Sequence, residues 1–290
     1  MKPEFKLEKT REFGELISDT FNFAKLHYKE LWQVFLKFVI PFLVPVILLS
    51  FYTQYSATSS FDFDLSDPSS LEDFTSQTLD ASLILINLLI IALSIVLFIV
   101  LELSILGAMK SYKETGTFNH KEISNTIKSQ FGNGFGMAIL LGLILFVSFI
   151  ACILPGIYFA IVFSVAFPLF VFKKMSVGEI INECFRLIKN NWWSTFGTIL
   201  IFGIIISLIG LIFTIPAGIY LWLSDLVEAD FSGFSTADKI VFALINSIST
   251  FIQYLLNTLA VILSALIYFN LNEQKYGESD LNEIDQIGDY

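Results

Sequence analysis

Residues 179–193 read EIINECFRLIKNNWW, a charged stretch with helical spacing set between two long apolar runs. Where that stretch can go decides the fold. The 290-residue chain is 55% hydrophobic and only 15% charged, with 31 Phe, and its mean hydropathy is +0.71. Such a composition excludes an ordinary soluble domain. Apolar runs longer than about 18 residues are candidate membrane spans. Six occur, over 32–54, 82–108, 135–154, 156–173, 194–222 and 241–269, with only Pro155-Gly156 between the third and fourth. The first starts too late and runs too long for a cleaved leader, so the N-terminus is expected to stay attached.

Lys and Arg set the orientation. They cluster before the first span (Lys2 to Lys29), between spans two and three (Lys110, Lys113, Lys121, Lys128) and between spans four and five (Lys173, Lys174, Arg186, Lys189). Loop 55–81 and the turn at 155–158 have none, and 223–240 has only Lys239. Basic loops stay on the cytoplasmic side. The expectation is an all-α, multi-pass protein of a bacterial inner membrane, with six spans and both termini cytoplasmic. The net charge of −10 comes largely from acids in the outer loop 55–81 and in the tail 270–290, both read as solvated segments. Cys152 and Cys184 fall on opposite sides, so no disulfide is expected, and no metal-ligand spacing occurs.

The opening stretch belongs to a repeated grammar. Ser176 and Glu179 carry the S-x-x-E capping signature, with Met175 and Ile180 at the staple positions. Val177, Ile180, Ile181, Cys184 and Ile188 then mark one helical face, and Glu179, Asn182, Glu183, Arg186 and Asn190 the other. Asn119 and Glu122 repeat the capping pair before span three. Near the N-terminus Phe13, Leu16, Ile17, Phe21 and Ala24 line a face. The cores ISDTF (17–21), ISNTI (123–127) and INECF (181–185) can be overlaid, and Pro45, Pro155 and Pro216 recur near the outer end of each following span. The unit read from this is an amphipathic helix on the inner surface plus a two-span hairpin, used three times (9–108, 117–173, 175–269) as parallel pseudo-repeats of a single membrane domain over 1–290. Trp192 and Trp193 are then aromatic anchors at headgroup level. Docking of a cytoplasmic partner is the alternative use of the 179–193 helix.

The block 152–202, CILPGIYFAIVFSVAFPLFVFKKMSVGEIINECFRLIKNNWWSTFGTILIF, resembles the glycerophosphoryl diester phosphodiesterase membrane domain family and related bacterial membrane proteins. The shared features are the Pro155-Gly156-Ile157-Tyr158 turn, an apolar span ending near a proline, an amphipathic helix around Gly178-Glu179 and the aromatic start at Trp192-Trp193. The ending IYFNLNEQKYGESDL (267–281) is also similar, but Asn270 and Asn272 stand where relatives carry an acid and a base. This chain lacks the phosphodiesterase barrel that names the family, so the resemblance implies no enzymatic activity here.

Catalytic signatures are missing: there is no H-E-x-x-H, G-x-S-x-G or P-loop. Asp62-Phe63-Asp64 reads as a solvated pair in a Ser-rich loop. His27 and His120 read as interfacial hydrogen-bonding residues. Gly132, Gly134 and Gly136 read as a flexible lead-in to span three. Asn87, Gln253 and Asn257 read as helix–helix glue. Lys37 and Glu102 are the two charges well inside the spans. They are expected to pair and hold the first hairpin in register; the alternative is that Lys37 snorkels to the inner surface while Glu102 pairs with Lys110 or with water. No catalytic, cofactor or metal residue is assigned. The function expected is a non-enzymatic scaffold or accessory subunit of a membrane complex, with a transporter or lipid-handling protein as the alternative. Its implied partners are membrane lipids and other membrane-protein subunits; nucleic acid is not expected.

Overall fold

The computed structural model describes residues 5–58, 80–173, 175–227 and 236–277. The Asp62–Asp64 pair, most of loop 55–81 and the tail beyond Gly277 lie outside them. The described residues are helical and contain no strand. In chain order the helices are α1 (Phe13–Leu26), α2 (Tyr28–Val34), α3 (Ile40–Thr58), α4 (Ala81–Thr115), α5 (His120–Ala151), α6 (Ile153–Phe163), α7 (Ala166–Lys173), α8 (Val177–Ile188), α9 (Trp192–Val227) and α10 (Thr236–Asn272), with π-helical turns over Phe35–Val39 and Glu273–Gly277. Six runs are long and apolar enough to cross a membrane: Tyr28–Ser56, Ala81–Thr115, His120–Ala151, Ile153–Lys173, Trp192–Tyr220 and Thr236–Gly277.

The chain divides into two compact units. The first comprises Met1–Val39, Ile99–Ile204 and Asn257–Tyr290. Within it, α1 begins at a reciprocal capping box between Glu12 and Glu15 and ends at His27, whose N–H reaches Phe23 O. Its buried stripe is Leu16, Thr20 and Phe23, turned away from the expected Phe13 and Phe21. Thr20 tolerates burial because its hydroxyl donates to Leu16 O at 2.7 Å. Phe23 enters an aromatic cluster, edge-on to Tyr112 at 5.7 Å and to Phe5 at 5.2 Å.

The Asn119 cap forms as read, with Asn119 Oδ1 accepting from the Lys121 N–H at 3.0 Å. The helix beyond that cap differs from the expectation. Residues 119–130 are not a separate surface helix but the first turns of the 32-residue α5. The three glycines do not interrupt it. Gly134 instead admits close packing, since a Cβ there would stand 3.4 Å from Phe170 Cε1 and 3.7 Å from Ile99 Cγ2.

The fourth span is broken. α6 stops at Phe163 and α7 restarts at Ala166. Pro168 explains the position: it has no N–H for the Ser164 carbonyl, and its ring crowds that carbonyl four residues back. Ser164 closes the end of α6 by donating its backbone N–H and its hydroxyl to Ile161 O. The break sits in the most protected span: 56% of its apolar window is buried, against 17% for Ala81–Thr115. The same logic places the π turn over Phe35–Val39, because Pro41 cannot donate to Lys37 O and the ladder shifts ahead of it.

The turn between α5 and α6 is a single extended residue, Cys152, at φ −172° and ψ 149°. Gly156 sits beneath the Phe149 ring, where a Cβ would lie 2.6 Å from Cγ. The second unit, Ile40–Phe98 with Ile205–Leu256, holds its α9 and α10 segments together by Ser249 Oγ donating to Phe213 O at 2.6 Å and Tyr220 Oη donating to Asp238 at 2.6 Å.

The tight turn is testable. Gly156→Ala is expected to cost about 1–3 kcal/mol through overpacking. Gly142→Ala, in open space on α5, should be neutral or mildly stabilising. Thermal unfolding in detergent reads both, and Phe149→Ala should relieve most of the Gly156→Ala loss.

Candidate functional site

Three features stand out in the first unit, two of them on α8. The first is its own start. Ser176 N–H and Oγ both donate to Glu179 Oε2, at 2.8 and 2.7 Å, closing the predicted capping box. These two hydrogen bonds, the hydroxyl's first, hold the exposed Glu179 carboxyl below its ordinary range. Cys184 faces inward. Burial, and then the neighbouring Glu183 carboxylate, push its thiol up to about 12.

The second feature is a charge cluster invisible to periodicity. Helical spacing puts Glu183 on the polar face, yet it is buried. Its carboxylate takes Arg186 Nε at 2.9 Å, the Tyr276 hydroxyl at 2.7 Å and Lys173 Nζ at 3.9 Å. Lys275 Nζ donates to Arg186 O at 2.7 Å, and Lys173 Nζ lies 4.5 Å from the centre of the Tyr276 ring. The cluster joins α7, α8 and the π turn after α10, and local sequence pattern carries no signal for such a long-range meeting.

Beside it, Tyr158 stacks on Trp192 at 5.9 Å, Trp192 stacks on Phe196 at 5.3 Å, and Phe159 and Phe163 pack edge-on to Phe185. Trp192 Nε1 is shielded without a hydrogen-bond partner, while Trp193 is 77% exposed. Pro155 is exposed and Gly156 buried.

The third feature is a pocket of about 420 Å³ between the start of α1, the start of α9 and the end of α10. Its polar wall includes Arg11, Asn191, Ser194, Thr195, Asn270 and Gln274; Phe13, Leu16, Ile267 and Leu271 form the apolar wall. Arg11 organises one side. Its guanidinium donates to the carbonyls of Lys6, Leu7 and Lys9 and to Asp19 at 2.8 Å, and its backbone N–H donates to Asn270 Oδ1 at 2.8 Å. The sequence marks Asn270 only as a departure from an acid.

Lys37 and Glu102 do not meet. Among the described residues no ion pair joins them. Lys37 is exposed, with Nζ 5.5 Å from the centre of the Phe38 ring, and Glu102 Oε2 is shielded without a hydrogen-bond partner. The π turn over Phe35–Val39 holds an extra residue, worth about 100° of rotation, which plain helical counting omits. Among the described residues no group of His, Cys, Asp and Glu is placed to hold a metal ion.

Six helices of this length and apolarity are compatible with a polytopic membrane protein. No protein-family model matches the chain, and neither a curated protein nor a solved structure does.

Two outcomes are expected here. Glu183→Gln should cost about 1–3 kcal/mol and Tyr276→Phe about 1 kcal/mol in detergent unfolding, with the double mutant losing less than the sum because both remove one shared interaction. For the capping box, the lowered Glu179 value means its stabilisation is complete above the ordinary carboxylate range, about pH 4.3, and is lost as pH falls through the lowered value. The melting difference between wild type and Glu179→Gln should therefore shrink in acid.

Proposed function

We propose that the protein is a non-enzymatic scaffold or accessory subunit of a membrane complex, in a bacterial inner membrane with both termini cytoplasmic. The observation that carries this reading is the imbalance of burial. Ala81–Thr115, His120–Ala151 and Trp192–Tyr220 bury only 17%, 22% and 22% of their apolar windows within the chain. Residues such as Leu85, Phe146, Ile150 and Leu208 stand 59–71% exposed on those helices. Wide apolar faces on long helices suit contact with lipid and with the spans of other subunits. The two intramembrane charges are unpaired with each other, which does not suit a relay of ionisable groups such as coupled transport employs.

The three parallel pseudo-repeats, with α1 and α8 lying on the inner surface, belong to the same proposal, as does membership of the glycerophosphoryl diester phosphodiesterase membrane domain family. The capped, amphipathic α8 followed by Trp192-Trp193 supports both. A second reading, lipid handling or transport, is favoured by the polar pocket at the helix ends.

Two experiments test this. Cysteines introduced at Ser70 and Ser232 should react with an impermeant reagent on intact cells, and one at Ser279 should not; labelling of Ser279 would sink the six-span arrangement. Purification in mild detergent should bring down defined membrane proteins in fixed ratio. Recovery of the chain with lipid alone would favour lipid handling.

A further inference from the structure

We propose that the cation cluster around Tyr276 is a binding site for the headgroup of an anionic phospholipid. The inference goes beyond the scaffold reading; it rests on the six-span arrangement.

The cluster gathers where two spans end. Lys173 is the last residue of Ile153–Lys173, and Lys275 lies in the final turn of Thr236–Gly277. α8 contributes Arg186 and, one residue past its end, Lys189. Three of these cations surround one phenol ring: Lys173 Nζ lies 4.5 Å from its centre, Arg186 Cζ 5.4 Å and Lys275 Nζ 6.0 Å. Lys189, like Arg186 and Lys173, is close enough for its charge to act on Lys275.

One carboxylate opposes them. Glu183 is buried, and its oxygens are already taken by Arg186 Nε at 2.9 Å and the Tyr276 hydroxyl at 2.7 Å. The other acids on α8 and the π turn are Glu179, which closes the capping box, and Glu273, whose Oε1 lies against Gly277. Among the described residues neither forms an ion pair with the four cations. By contrast Lys9, Arg11 and Lys113 each have an acid of their own, in Glu15, Asp19 and Glu8.

Donors are also left over. Lys173 Nζ stands 3.9 Å from Glu183, beyond hydrogen-bond distance, although its side chain is only 30% exposed. Among the described residues Arg186 Nη1 and Lys189 Nζ donate to no protein acceptor. The guanidinium is held along one edge by Glu183 and is otherwise open, its side chain 59% exposed. Like charges held together partly out of water, with N–H groups to spare, are stabilised by an anionic acceptor. A phosphodiester supplies one, and its two free oxygens match the paired N–H groups of a guanidinium.

Position favours a lipid over a soluble anion. Basic groups at the cytoplasmic ends of spans stand at headgroup depth, where they recognise anionic headgroups. Trp193, four residues past Lys189 and exposed, is the kind of side chain that occupies the same depth.

The test uses the full chain in neutral detergent, stripped of lipid, and native mass spectrometry with phosphatidylglycerol and phosphatidylethanolamine of the same acyl chains. Wild type should retain phosphatidylglycerol at least about tenfold better. Lys189→Gln combined with Lys275→Gln removes two exposed cations and leaves the Glu183 contacts in place; the preference should fall about tenfold. Lys121→Gln combined with Lys128→Gln removes the same charge from exposed positions on α5 and should leave the preference unchanged. Absence of any preference in wild type overturns the proposal, and that comparison decides even if a variant does not fold. An unchanged preference in the first pair overturns it as well, and so does an equal fall in both pairs, which would mean attraction by net charge alone. A preference that emerges only after deletion of residues 278–290 assigns the cluster to the acidic tail, with Glu278, Asp280, Glu283, Asp285 and Asp289, and overturns the lipid assignment. The lipid comparison is made in detergent, so labelling of Ser279 would sink the span arrangement without altering it, and the two failures are separable.

Discussion

A peptide group surrounded by hydrocarbon has no hydrogen-bond partner except another part of the chain. That constraint makes the described residues helical and also governs where the helices are allowed to fail. Two of the failures within the described apolar runs lie four residues upstream of a proline. Ahead of Pro41 the ladder widens into the π turn over Phe35–Val39, and ahead of Pro168 it breaks at Ser164-Val165. The second interruption frees more backbone, and it occurs in the span most enclosed by protein. Val165 and Ala166 are fully buried there, and the Ser164 hydroxyl bonds back to Ile161 O at 2.8 Å. Other prolines, Pro45 and Pro216, are passed without a break.

At the helix ends polar groups replace the backbone as the organising element. Residues 5–12, ahead of α1, have no helix or strand, and three of their carbonyls are gathered by one buried guanidinium, that of Arg11. The same residue fastens the start of the chain to Asn270, 259 positions away. Glu183 does the equivalent for α7, α8 and the turn after α10. A buried carboxylate is tolerated because it meets two cations and a phenol in one place; with any one of them alone its desolvation would be poorly offset. The pocket lies beside the first of these ties, since Arg11 and Asn270 both line it.

The sequence made the helical class and the six apolar runs legible because span length is a property of consecutive residues. Caps were legible for the same reason: Ser176/Glu179 and Asn119/Glu122 act over three positions. The failures were of another kind. Amphipathic patterning at 119–130 resembled that at 179–193, but a helix end requires a stop, and nothing between Lys128 and Gly136 provides one once Gly134 packs against Phe170. The burial of Glu183, and the roles of Arg11 and Asn270, depend on partners 93 and 259 residues away. Lys37 and Glu102 were matched by depth, but depth leaves azimuth undetermined, and the π turn changed it.

The single-residue turn at Cys152 bears on how the chain is made. α6 is 11 residues long, about 16 Å of helix, roughly half the hydrocarbon thickness, and the chain breaks just beyond it. Such a segment is a poor candidate to partition from a translocation channel by itself. With no loop to separate them, α5 and α6 would have to leave the channel together, as a preformed hairpin already closed at Gly156 and Phe149. Biogenesis of this region then becomes a concerted step, and lengthening the turn would decouple it.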